Sequence, residues 1–182
     1  IASRGPEALV MNKPELLALS SHTDIRGAFT RTFDVLSSPD SKFSVVQANI
    51  SVNPHPFTLR GMHFQTSGPN EEKRISLLSG SAFLVAVDLR EESPNFLEHY
   101  RFELTSPLSE SIHVPSRFAT GWLSTSPNTV FQYLMSARFE DCTYSGLRFD
   151  DPMLSIDWPA LPSVVSDKDL AWAPLEQVLR HP

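Results

Sequence analysis

Short runs of alternating apolar and polar residues, broken every few positions by proline, glycine or asparagine, recur along almost the whole chain. Alternation of this kind sends successive side chains to opposite faces and predicts extended strands. It places them at Ala28 to Val35, Phe43 to Val52, Thr58 to Gln65, Lys73 to Leu78, Leu97 to Leu104, Glu110 to Val114, Ala119 to Ser124 and Thr129 to Ser136. Ser81 to Leu89, SAFLVAVDL, is nearly continuous in apolar residues and predicts a strand buried on both faces. Thr58 to Gln65 and Lys73 to Leu78 flank a turn rich in Gly, Pro and Asn, which reads as a hairpin or a wide β-connection. Glu15 to Ser20 reads as a short strand or one helical turn, in an N-terminal segment, 1–21, expected to be partly loose. Asp150 to Trp158 is turn-rich, and Pro174 to Arg180 predicts a short helix with proline in its first turn. The pattern as a whole predicts an all-β sandwich or barrel followed by a short C-terminal helix.

Composition narrows this picture. The 182 residues suit a single domain over 1–182, and the fifteen prolines disfavour long helices. A net charge of −6 without a basic block argues against nucleic acid, although a few arginines inside one pocket suffice for a phosphate ligand. No apolar run approaches the roughly 20 residues of a membrane span, and the opening IASRGPEALVMNKPE has no signal-peptide pattern. The expectation is a cytoplasmic protein. Cys142, the one cysteine, has no internal disulfide partner and reads as an incidental thiol.

The best candidates for chemistry lie between Thr58 and Gly80. His63 can accept a proton near neutral pH, and the ammonium of Lys73 can stabilise the negative charge left behind. Together they suggest removal of a proton beside a carbonyl. A histidine on a strand of a small β-barrel also raises the metal-binding cupin pattern. Here its second histidine is Gln65, its glutamate, seven before Gly80, is Lys73, and its last histidine is Thr120. With those ligands missing and a cation in place of a carboxylate, no metal is expected.

The chain resembles a metal-free cupin family, the dTDP-4-dehydrorhamnose 3,5-epimerases, from about Asp24 to Pro174. The resemblance is carried by Asp24-Ile-Arg-Gly-Ala-Phe29, Val46-Gln-Ala-Asn49 with Ser51, Leu59-Arg-Gly-Met-His-Phe-Gln65, Lys73, Val85-Ala-Val-Asp-Leu-Arg90, Tyr133, Ile156-Asp-Trp-Pro159 and Ser166-Asp-Lys-Asp169. It implies a jelly-roll barrel, a homodimer whose N-terminal strands cross to the neighbouring subunit, and no cofactor. The implied reaction removes protons beside the ketone of a 4-keto-6-deoxy sugar carried on a nucleoside diphosphate. His63 would be the base, Asp169 its orienting carboxylate, Lys73 the group facing the enolate oxygen and Tyr133 the acid on the other face. Arg60 and Arg26 would hold the diphosphate; Phe29, Gln47, Asn49, Thr120 and Phe139 would complete the substrate site.

The same resemblance marks departures. Thr120 stands where the family has histidine, Leu84 where it has aspartate, and Phe139 where a tyrosine is frequent. The first two are expected on the pocket wall, where their loss would restrict the chemistry to one carbon or abolish it. Arg31 stands in place of a glutamate associated with thymine, which would suit cytosine better, since a guanidinium only donates hydrogen bonds. Strict alternation also puts Arg60 on the opposite face from His63, so the substrate assignment requires a bulge or a place at the barrel mouth.

Overall fold

The computed structural model describes residues 13–35 and 43–180. Its strands are β1 (Glu15–Ala18), β2 (Ser20–Asp24), β3 (Gly27–Arg31), β4 (Gln47–Asn53), β5 (Leu59–Ser67), β6 (Lys73–Ser79), β7 (Ser81–Asp88), β8 (His99–Thr105), β9 (Glu110–Val114), β10 (Phe118–Ser124), β11 (Thr129–Met135) and β12 (Thr143–Gly146). Two short helices complete the chain, α1 (Asp167–Leu170) and α2 (Leu175–Arg180). One five-stranded sheet runs β1-β9-β6-β11-β4, and a second runs β12-β5-β10-β7-β8. All their pairings are antiparallel. This is the double-layered β architecture of the expected jelly roll.

Inward-facing residues of the two sheets meet in one apolar core. Ile75, Leu77, Ile112, Val114 and Phe131 come from the first sheet, and Leu84, Ala86, Leu104, Phe118 and Trp122 from the second. A second cluster covers the outer face of the second sheet. There Met62, Phe64, Val85, Val87 and Ala119 are sealed by Leu147, Leu154 and Leu175 from the C-terminal segment. β7 therefore lies between two apolar layers, which is why its sequence loses the alternation seen elsewhere.

One open reading is decided and one expectation needs correction. β5 and β6 belong to different sheets and do not pair, so of the two readings of the turn between them the wide connection holds and the hairpin does not. Leu84 is wholly buried in the core and is absent from the cavity wall. Three of these elements were not foreseen, β2, β12 and α1, each too short to show a period. The predicted helix and nine of the predicted strands are present within a few residues of their expected ends, the usual uncertainty of such boundaries.

β2 and β3 form a separate two-stranded ribbon paired with neither large sheet. It leaves Ile25 fully exposed and Phe29 74% exposed. β4, an edge strand, also turns Ile50 and Val52 outward. Apolar side chains grouped on an edge and on an unsupported ribbon are unusual for a monomer surface.

Candidate active site

The site begins with an irregularity in β5. Across the β5–β10 ladder, Thr120 pairs with His63 and Trp122 with Arg60, so two steps on β10 are matched by three on β5. The extra residue is a bulge, and it turns Arg60 to the same side as His63, overriding strict alternation. Gly61 makes the bulge possible. Its φ is +113°, and a Cβ there would lie 2.6 Å from the Cα of Gly121 and from the carbonyl oxygen of Thr120. Arg60 and His63 thus line one cavity of about 320 Å³. Arg60 Nε donates to Asn53 Oδ1 at 3.0 Å, which steadies the guanidinium at the wall.

His63 is backed by a carboxylate from the far end of the chain. Its Nε2 lies 2.7 Å from Asp169 Oδ1. Sequence distance is overcome by a docked segment: Leu59 N donates to Val164 O at 2.9 Å, tying the stretch before α1 to the start of β5. Ser166 caps α1 by accepting from Asp169 N, which sets the direction of the aspartate. Gly61 N donates to Asp169 Oδ2 at 3.2 Å, and Trp172 Nε1 donates to Oδ1 at 3.1 Å. Burial alone would raise the carboxyl, but the hydrogen bond and charge of His63, with those of Gly61 and Trp172, hold it below its ordinary value. An ionised Asp169 accepts the Nε2–H of His63. That fixes the tautomer and leaves the lone pair of Nδ1 as the basic position.

The opposing wall comes from the other sheet. Tyr133 on β11 and Lys73 on β6 both line the cavity. The Tyr133 hydroxyl accepts from Trp122 Nε1 at 2.6 Å. Burial pushes this phenol up to about 12, against the lowering effects of the Trp122 N–H and the Arg60 charge. Lys73 Nζ is 3.1 Å from Glu71 Oε1, with the glutamate side chain 1% exposed. Tyr144 donates its hydroxyl to Glu71 Oε2, and burial, then that carboxylate, push its phenol far up. Lys168 lines the same cavity with its ammonium over the Trp172 ring. One imidazole among several cations makes a donor set suited to an anion. Among the described residues no three His, Cys, Asp or Glu side chains cluster as a metal site requires.

The family model for dTDP-4-dehydrorhamnose 3,5-epimerase matches residues 11–177. The chain belongs to this family. A dTDP-4-dehydrorhamnose 3,5-epimerase of Methanothermobacter thermautotrophicus is 33% identical over 161 residues, 86% of each chain. Among solved structures, an epimerase of Mycobacterium tuberculosis superposes with a TM-score of 0.85 at 31% identity, covering 94% of this chain and 88% of that one. A Bacillus anthracis dTDP-4-dehydrorhamnose 3,5-epimerase, solved with TDP and pyrophosphate bound, gives 0.81 at 31% identity over 89% and 94%.

Within this member of the epimerase family, the cavity gathers His63, Lys73, Tyr133, Arg60, Asn49, Thr120 and Phe139, with Asp169 directly behind His63. Gln47 stands beside it, donating to Asn49 Oδ1 and accepting from Phe139 N. A single chain does not bring the ribbon residues to the cavity. Arg26 is paired with Asp24, Phe29 is open to solvent, and Arg31 bonds Asp34 at 3.1 Å beside a separate groove.

Sequence reasoning missed Glu71, Tyr144, Trp122 and Trp172. Glu71 is two residues before Lys73 on a connection without alternation. The two tryptophans look like ordinary core aromatics until their N–H partners are seen.

Proposed function

We propose that the protein epimerises a 4-keto-6-deoxy sugar carried on thymidine diphosphate, at C3, at C5 or at both, without a cofactor. The observation that carries this reading is the His63–Asp169 pair, which comes from one sheet and shares its cavity with Tyr133 and Lys73 from the other. Such opposed walls suit removal of a proton from one face of a ring and its return to the other.

The C4 ketone acidifies the neighbouring C–H bonds. His63 Nδ1 takes the proton, and the electrons of the broken C–H bond move to the C4 oxygen as an enolate. Lys73 stabilises that oxygen. Tyr133 gives its phenolic proton to the carbon from the opposite face, the C–H bond reforms with inverted configuration, and the phenolate recovers a proton from water. His63 releases its proton to solvent, so the sum is an isomerisation. Arg60 supplies the forked guanidinium that suits diphosphate oxygens.

The reading extends to a homodimer in the cytoplasm. The exposed ribbon, β2 and β3, and the apolar edge of β4 support a partner chain, and crossing over would carry Arg26 and Phe29 to the neighbour's cavity. Light scattering tests this: a dimer is expected, and a monomer at working concentration would contradict it.

A second reading rests on Thr120, the register partner of His63, standing where the family has histidine. A hydroxyl in place of an imidazole narrows the chemistry to one carbon. Incubation with dTDP-4-keto-6-deoxyglucose and NMR of the product distinguish the outcomes, since inversion at C3, at C5 or at both gives different ring couplings; no inversion rejects the epimerase. Titration with dTDP and CDP addresses the base. Tighter dTDP binding is expected, with Arg31 held by Asp34, and tighter CDP binding would restore Arg31 as a base selector.

A further inference from the structure

Tyr133 meets one hydrogen-bonding partner among the described residues, and that partner can only donate. Trp122 Nε1–H points at the phenolic oxygen from 2.6 Å. Indole has no acceptor, so the oxygen must receive this bond and its own hydrogen must point elsewhere. The ring lines the cavity, which is where that hydrogen can go. Trp122 itself is held firmly. It is 3% exposed, packs on Phe131 with ring centroids 4.6 Å apart, and sits in the core with Leu84 and Phe118.

The same hydrogen bond matters once the proton has left. When Tyr133 gives up its proton, a phenolate forms in surroundings that push the phenol up to about 12. A phenolate there needs a donor already in place, because reorientation would add to the barrier. The indole N–H is that donor, and its bond becomes charge-assisted as the oxygen turns anionic. Arg60 contributes charge nearby.

We infer that Trp122 is a positioning residue for the acid step: its indole N–H holds the Tyr133 oxygen as acceptor, aims the phenolic hydrogen into the cavity and carries the phenolate left by proton transfer. This rests on the epimerase reading and adds a residue that acts through Tyr133, although the edge of its ring also lines the cavity. It also predicts a specific failure. If Tyr133 is a poor donor, the enolate still forms at His63, and His63 returns a proton to the face from which it came. The enolate then partitions toward retention.

The experiment runs the wild type, W122F, Y133F and W122F/Y133F in D2O with dTDP-4-keto-6-deoxyglucose. NMR separates deuterium in unepimerised substrate from deuterium in epimerised product. The wild type is expected to give mainly inverted product. W122F is expected to shift the ratio of retained to inverted label by about ten- to a hundredfold, the range for losing one hydrogen bond to a charged group. In the Y133F background the same substitution should change the ratio no further, as required of a residue acting through Tyr133. An unchanged ratio in W122F, or a further shift in the double variant, overturns the inference while leaving the epimerase intact. A wild type that takes no deuterium at C3 or C5 overturns both. Should W122F fail to fold, benzothienylalanine placed at 122 alone keeps the bicyclic shape and replaces N–H by sulfur; the same shift is expected, and its absence is equally decisive.

Discussion

His63 Nε2 and Asp169 Oδ1 stand 2.7 Å apart although 106 positions separate them in the chain. The contact joins the middle of β5 to the short helix α1, and it decides which ring nitrogen is free to act as base. The aspartate receives donors from three places, His63, Gly61 and Trp172, so its charge and its orientation are set together.

Replacing Asp169 by asparagine should leave the fold in place and lower kcat by on the order of 10²–10⁴ with little change in KM, because the imidazole loses its fixed tautomer. The stability difference between wild type and D169N should also depend on pH. The folded carboxyl lies below its ordinary 3.8, so its contribution is complete above 3.8 and fades as pH falls through the folded value. Urea unfolding of both proteins across that window checks the sign.

Lys73 and Glu71 form a pair with little exposure, and removing the ammonium leaves the buried carboxylate with a neutral donor, the Tyr144 hydroxyl, but without its counter-charge. K73A should lose on the order of 10²–10³ in kcat from the missing enolate cation. It should also cost about 3–5 kcal/mol, because the Glu71 carboxylate is left buried without its ammonium. The double variant K73A/E71Q should recover much of the stability and none of the activity. Denaturation midpoints set beside steady-state rates separate the two effects.

Gly61 carries the bulge that brings Arg60 and His63 to one cavity. G61A combines a Cβ 2.6 Å from backbone atoms with a φ of +113°, so it should destabilise by about 1–3 kcal/mol or more. In whatever folds, Arg60 is displaced and the KM for the nucleotide sugar rises. Thermal unfolding and the KM of G61A test both, and an unchanged KM would detach Arg60 from the diphosphate.

Tyr133 should remain neutral well past the range of an exposed tyrosine. The difference between wild-type and Y133F tyrosinate absorbance should rise near pH 12 and not near 10. Its folded value is raised, so the associated stability is complete below 10 and is lost above it, where the unfolded chain ionises first. A difference signal centred at 10 would place the ring in water.

Much of this site was legible from residue order. β-patterned runs named most strands, and His63 and Lys73 stood out as a proton acceptor and a cation on neighbouring runs, whereas Tyr133 and Asp169 came from a family resemblance, not from spacing. What could not be read was how side chains from distant segments face one another. The alternation rule sent Arg60 to the wrong face because a bulge changes phase by one residue and only the partner strand reveals it. The resemblance put Leu84 on the pocket wall, whereas it is wholly buried in the core cluster that also holds Trp122 and Phe131. Glu71, Trp122 and Trp172 stayed hidden because each acts on a neighbour's polar atom, a relation that exists only after folding.

The most direct test of the central claim is deuterium uptake by the wild type and by H63N, each incubated in D2O with dTDP-4-keto-6-deoxyglucose and monitored by NMR. The wild type should incorporate deuterium at C3, C5 or both, and H63N should incorporate none above the uncatalysed rate. Label appearing in H63N at the wild-type rate, or in neither protein, would contradict His63 as the base.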